Sequence, residues 1–88
     1  MKIFRNKNDL IQEISGLKNL GFVPTMGALH DGHISLIDKA KKQSKQVVVS
    51  IYVNAKQFDS RKDFKKYPRN LNKDIIILKR KKIDYLYI

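Results

Sequence analysis

An α/β fold built on a parallel sheet is predicted for this 88-residue chain by three observations. The run from Gln46 to Val53 is apolar almost without interruption, as in a strand covered on both faces. Strand-like and helix-like segments alternate along the chain, which calls for right-handed crossovers and parallel neighbours. The stretch Pro24-Thr25-Met26-Gly27-Ala28-Leu29-His30-Asp31-Gly32-His33 sets both histidines of the chain around a glycine, where a strand gives way to a helix. The order strand, helix, strand, helix, strand is that of half a doubly wound domain. A chain this short forms at most one small domain, burying only about 60% of the surface its unfolded form exposes.

The elements follow in order. Leu10, Ile11, Ile14 and Leu17 form the apolar stripe of a first helix, with Asn6 and Asn8 as candidate caps and Gly16 near its end. Asn19 to Pro24 reads as a strand through Leu20, Phe22 and Val23. It stops at Pro24, which has no ladder donor, so Thr25 to Asp31 reads as a loop. A second helix runs from Gly32 to about Lys42, with Ile34, Leu36, Ile37 and Ala40 on its buried face. The Gln46 to Val53 strand comes next. Asn54 to Asn70 has no sustained period and reads as a long loop holding a turn of helix, of a length that is usually functional or disordered. Asn70 caps a third helix with the stripe Leu71, Ile75 and Leu78, and Lys79 to Lys82 sit at its negative end. Asp84 to Ile88 is a last strand, expected to be exposed and so prone to irregular association.

Charge and composition narrow the function classes. The net charge is +11, from 19 Lys and Arg against 8 Asp and Glu, and all the basic residues except Arg5, Arg61, Arg69 and Arg80 are lysines. With Ile and Asn also frequent, this is the signature of an AT-rich genome as much as of a polyanion-binding surface. It serves long-range steering of anions without specifying nucleic acid. There is no cysteine, which excludes disulfides and thiolate metal sites and makes a cytoplasmic setting the expectation. No apolar run approaches the roughly 20 residues of a membrane span.

The histidine segment carries the chemistry. A helix beginning near Gly32 leaves backbone N–H groups unpaired at its positive end, where an anion is stabilised. His30 and His33 add donors there, suited to charge that develops when a phosphoanhydride breaks. In parallel sheets ligands sit beyond the carboxyl ends of strands. The segments Met26 to His33 and Asn54 to Phe58 both follow such ends, so they are expected to face one pocket.

These residues, with Val53-Asn54, Gln57-Phe58, Tyr67-Pro68-Arg69 and Asp74 in that order, resemble the pantothenate synthetase (pantoate-beta-alanine ligase) family over essentially the whole chain. The resemblance implies a Rossmann-like nucleotide-binding half domain of the His-x-Gly-His nucleotidyl transferase type. It implies attack of the pantoate carboxylate on the α-phosphate of ATP, with Mg2+, to give pantoyl adenylate and pyrophosphate, and then displacement of AMP by beta-alanine. Met26, Gly27, Ala28, Leu29, His30, Asp31, Gly32 and His33 would form the ATP segment, His33 being the proton donor and His30 a phosphate holder. Gln57 would bind pantoate near the beta-alanine site. Asn54 would either line that pocket or only hold its turn, and no protein metal ligand is implied. Tyr67 and Phe64 read equally as packing or as ligand contacts, and Asp74 as an exposed helix residue or as a metal or nucleotide contact.

The chain departs from the family at Ala55-Lys56, where a Pro-Thr-like pair is usual. The family's later strands, second phosphate loop and small carboxyl-terminal domain have no counterpart, so residues 1–88 read as the amino-terminal part of the nucleotide-binding domain in truncated form. Adenylation needs donors on both sides of the phosphates, so these residues alone are expected not to turn over. A homodimer is possible by the same resemblance. The alternative reading is an inactive fragment that binds nucleotide or polyanion through charge.

Overall fold

Four parallel strands in the order β1-β4-β3-β2 form the sheet of the computed structural model, which describes residues 1–54, 60–66 and 69–88. In chain order the elements are β1 (Lys2–Phe4), α1 (Lys7–Ile14), β2 (Leu20–Thr25), α2 (Asp31–Gln43), β3 (Gln46–Ile51), α3 (Arg61–Lys66), α4 (Leu71–Arg80) and β4 (Tyr85–Tyr87). The predicted α/β class with a parallel sheet is therefore the observed one.

The sheet is packed on both faces, and the alternation along the strands sorts the side chains. Val47, Val49 and Leu86 point to the side where α2 and α4 bring Ile37 and Leu78, all of them essentially inaccessible. Val48 and Tyr85 point to the other side, where Leu10 of α1 closes a smaller cluster with Ile14, Leu17 and Leu20. An apolar run in β3 is thus what a strand needs when neither face meets water.

Five expectations need correction. β1 had no sequence signal: three residues carry no period, and the strand exists because Lys2, Ile3 and Phe4 pair with Tyr85, Leu86 and Tyr87. β4 is an interior strand between β1 and β3, with Leu86 fully buried, so it is not the exposed edge that the chain's final position suggests. β2 passes through Pro24 to Thr25, because an edge strand tolerates a missing donor, and Thr25 belongs to the strand. It begins at Leu20, since Asn19 is left-handed (φ 59°). β3 ends at Ile51, where pairing with Thr25 ends, and Tyr52 is largely exposed. Finally, Ile11 and Leu36, placed on buried stripes by spacing, face outward at 48% and 55% exposure.

Caps explain the helix starts. Asn6 accepts the N–H groups of Asn8 (2.8 Å) and Asp9 (3.2 Å), which makes Asn6 the cap of α1 and places Asn8 inside it. Asn70 accepts the N–H of Lys73 at 3.1 Å and starts α4. α3 is the helical turn expected within the long connection. Gly21 lets the end of α2 lie against β2, since a Cβ there would stand 2.6 Å from the Ser44 hydroxyl. At the far end of the helices, Lys81 pairs with Asp38 at 3.0 Å and ties α4 to α2.

Candidate active site

The connection from β2 to α2 is held by side chains at almost every step. Thr25 donates its hydroxyl to the Ser50 carbonyl (2.8 Å) and accepts the N–H of Gly27 (3.1 Å), turning the chain as it leaves the sheet. Gly27 (φ 81°) and Ala28 (φ 52°) are then both left-handed. At Gly27 a side chain is excluded by φ and also by space, because a Cβ would lie 3.1 Å from Asp74 Oδ2 and 3.2 Å from Ile51 Cγ2. Ala28 carries the strain, about 1 kcal/mol or more. It is offset by Asp74 of α4: Oδ2 accepts the Ala28 N–H and Oδ1 the Leu29 N–H, both at 2.9 Å. Asp74 is only 3% exposed. It is not the exposed helix residue that the sequence allowed: both its oxygens hold the loop backbone, and it also borders the smaller cavities beside that loop.

The histidines form a reciprocal cap on α2, which starts at Asp31, one residue before the predicted Gly32. His30 is the extended N-cap residue, and its Nδ1 accepts the Gly32 N–H at 3.1 Å. His33 Nδ1 in turn accepts the His30 N–H at 3.2 Å. A ring nitrogen that accepts cannot carry the proton, so in each neutral imidazole the proton is on Nε2, directed away from the cap. The two rings lie 4.1 Å apart, tilted by 48°. The His33 pKa is lowered, chiefly by burial and next by the neighbouring His30, against a smaller opposing effect of Asp74. At neutral pH His33 is therefore an uncharged Nε2–H donor at the positive end of a helix.

Of the two rings, His33 lines a cleft of about 450 Å3 beyond the carboxyl ends of β2 and β3, together with Pro24, Thr25, Met26, Ser50, Tyr52 and Asn54. Met26 and Gly27 also border a smaller cavity of about 190 Å3, beside Val53 and Asp74. The structure thus brings Met26, His33 and Asn54 into one pocket, with Gly27, Ala28, His30, Asp31 and Gly32 on the connection that frames it. The Leu29 side chain is buried in the core at 9% exposure, so its backbone alone belongs to the site. Gln57, Phe58, Ala55 and Lys56, and also Tyr67, lie outside the described residues, as does the side chain of Phe64. Sequence reasoning missed Thr25, Ser50 and Tyr52 as parts of the pocket, though all three adjoin the strand ends it singled out. Among the described residues no group of three or more His, Cys, Asp or Glu stands ready to hold a metal ion, and no helix is long and apolar enough to cross a membrane.

The family model for pantoate-beta-alanine ligase matches residues 2–88. The chain belongs to that family. The pantothenate synthetase of Christiangramia forsetii is 54% identical over 88 residues, an overlap covering 96% of this chain and 31% of that protein. A crystal structure of pantoate-beta-alanine ligase from Francisella tularensis, complexed with beta-gamma ATP and beta-alanine, superimposes with a TM-score of 0.94 at 46% identity, over 99% of this chain and 34% of that one. The pantothenate synthetase of Thermus thermophilus gives a TM-score of 0.90 at 37% identity, over 99% of this chain and 31% of that one. The chain spans about a third of the length of these relatives. Its sheet is the Rossmann-like sheet of the His-x-Gly-His nucleotidyl transferase type that they carry.

Proposed function

We propose that residues 1–88 are the amino-terminal part of the nucleotide-binding domain of a pantoate-beta-alanine ligase, and that they hold the ATP phosphates for pantoate activation. In that reaction the pantoate carboxylate attacks the α-phosphate of ATP, giving pantoyl adenylate and pyrophosphate. The amine of beta-alanine then attacks the acyl carbon and AMP leaves, giving pantothenate. The observation that carries the reading is the reciprocal histidine cap, which aims two Nε2–H groups from the amino end of α2.

Each part of the loop has a role in this reading. The segment Met26 to His33 takes the triphosphate, and the fixed left-handed turn spares the loop the entropy of ordering when nucleotide arrives. His30 and His33 donate hydrogen bonds to phosphate oxygens. His33 stabilises, through its Nε2–H hydrogen bond, the charge that develops as the α,β-anhydride breaks; its lowered pKa keeps the ring neutral, so it acts there as a hydrogen-bond donor. Asn54, which lines the same cleft as His33, and Gln57 serve pantoate, because an amide can donate to a carboxylate and accept from a hydroxyl. Mg2+ enters with ATP as part of the substrate, chelated by its phosphates. A cytoplasmic setting and a homodimer belong to the same proposal through the family resemblance.

Titration of the 15N-labelled chain with MgATP tests it. The amides of Gly27 to His33 are expected to shift and His33→Asn to weaken binding about tenfold, since asparagine keeps an acceptor near the Nδ1 position but has no Nε2–H. Pantoate added next should move the Asn54 amide. A second reading is favoured by the net charge of +11, namely a chain that binds polyanions by charge alone. It predicts an affinity that falls steeply with salt and ignores His33→Asn.

A further inference from the structure

We propose that Asp74 is a positioning residue: from α4 it clamps the backbone of Ala28 and Leu29 and so sets the direction in which the His30 and His33 rings present their Nε2–H groups. The proposal deepens the phosphate-site reading given above, but its geometry stands without a nucleotide. Ala28 and Leu29 lie 46 and 45 residues from Asp74 in sequence, and each oxygen of its carboxylate takes one of their N–H groups at 2.9 Å. A fork of this kind fixes orientation as well as distance, because two parallel bonds leave the loop no freedom to rotate about either.

The clamp acts at the one place where the connection is strained. Gly27 and Ala28 are left-handed in succession, and Leu29 then plunges into the core, so the chain enters His30 in a single orientation. His30 is itself the cap, and its N–H is the donor that His33 Nδ1 accepts. A turn of the Ala28 or Leu29 peptide would therefore rotate the His30 N–H and release the His33 ring. α4 is suited to the task. Asn70 caps its first turn and accepts the Asp74 N–H through its carbonyl at 3.1 Å, which fixes the carboxylate's starting point. Asp74 also acts on His33 through its charge, opposing the lowering of that ring's pKa.

Asp74→Asn and Asp74→Glu separate these effects in the 88-residue chain. Asparagine keeps one acceptor and turns an NH2 group toward a backbone donor. Glutamate keeps the charge but displaces the fork by a methylene. Hydrogen exchange at the Ala28 and Leu29 amides should quicken at least tenfold in both variants, while Val47 to Val49 stay protected as in the unsubstituted chain. The His33 titration, followed by NMR, should move to lower pH in Asp74→Asn and far less in Asp74→Glu, a split that a merely structural residue would not give. If Asp74→Asn fails to fold, the Asp74→Glu exchange rates decide alone. Unchanged exchange at Ala28 and Leu29 in a folded variant overturns the proposal. MgATP binding to the unsubstituted chain is scored separately. Its absence would defeat the phosphate-site reading and leave the clamp standing, and intact affinity alongside quickened exchange would mean that the clamp does not position the donors.

Discussion

The two ends of the sheet offer hollows of similar size but of different construction. At the carboxyl ends of β2 and β3 the cleft holds about 450 Å3, and in the loop beside it the backbone N–H groups of Gly27, Ala28, Leu29, His30 and Gly32 are taken by Thr25, Asp74 and the paired histidines, which leaves the imidazole Nε2–H groups as its fixed donors. At the amino ends of β1 and β4 a hollow of about 490 Å3 is rimmed by Lys2, Lys79 and Lys82. There Lys2 is occupied by Glu13 at 3.0 Å, and Asp84 is spent on the Val47 N–H at 2.9 Å. The second hollow has the greater volume and the more obvious charge, but Lys79 and Lys82 carry that charge on long flexible side chains rather than on groups locked by the backbone. On the proposed reading, directed donors, rather than volume or net charge, mark the end of the sheet that takes a ligand.

Substitutions at each end should break or sharpen that contrast. The largest effect is expected at Gly27→Val, which combines a β-branched side chain at positive φ with crowding against Asp74 and Ile51. It should cost roughly 3 kcal/mol, seen as a lowered urea midpoint. Next is His33→Asn, which should leave the fold intact by circular dichroism and weaken MgATP about tenfold, the equivalent of about 1.4 kcal/mol. Asn70→Ala, which removes the cap of the helix that carries Asp74, should cost about 1 kcal/mol.

A smaller effect concerns pH. His33 is held below its ordinary value in the fold, so below about pH 6.5 the unfolded chain takes up protons that the folded chain resists. Stability should be fully present above that pH and fall as acidification proceeds through the lowered folded value. His33→Asn should flatten this part of the urea-midpoint profile, and an unchanged profile would remove His33 as its cause. Smallest of all, Lys79→Ala with Lys82→Ala at the opposite end should stay within about 0.5 kcal/mol for stability and leave MgATP affinity unchanged at physiological salt.

What could be read from sequence follows from how locally each feature is encoded. β3 was legible because both of its faces are apolar, and the start of α2 because the histidines, the glycine and the following stripe lie side by side. Strand order is not written locally, so β4 looked like an exposed end and β1, with three residues, did not register at all. Spacing placed Ile11 and Leu36 on buried stripes, but the sheet covers a narrower arc of α1 and α2 than their apolar residues span. Asp74 shows the limit best. Its partners are backbone groups 45 and 46 residues away, and no side-chain pattern around Lys73 or Ile75 announces them.

Directed donation from this loop depends on the tautomers of His30 and His33, and 15N chemical shifts of the two imidazoles at pH 7.5, recorded before and after MgATP, test them directly. Both rings are predicted to show an unprotonated Nδ1 and a protonated Nε2, with the Nε2 resonances moving when nucleotide is added. A proton on Nδ1 in either ring, or MgATP shifts confined to the lysine-rimmed end of the sheet, would contradict that assignment.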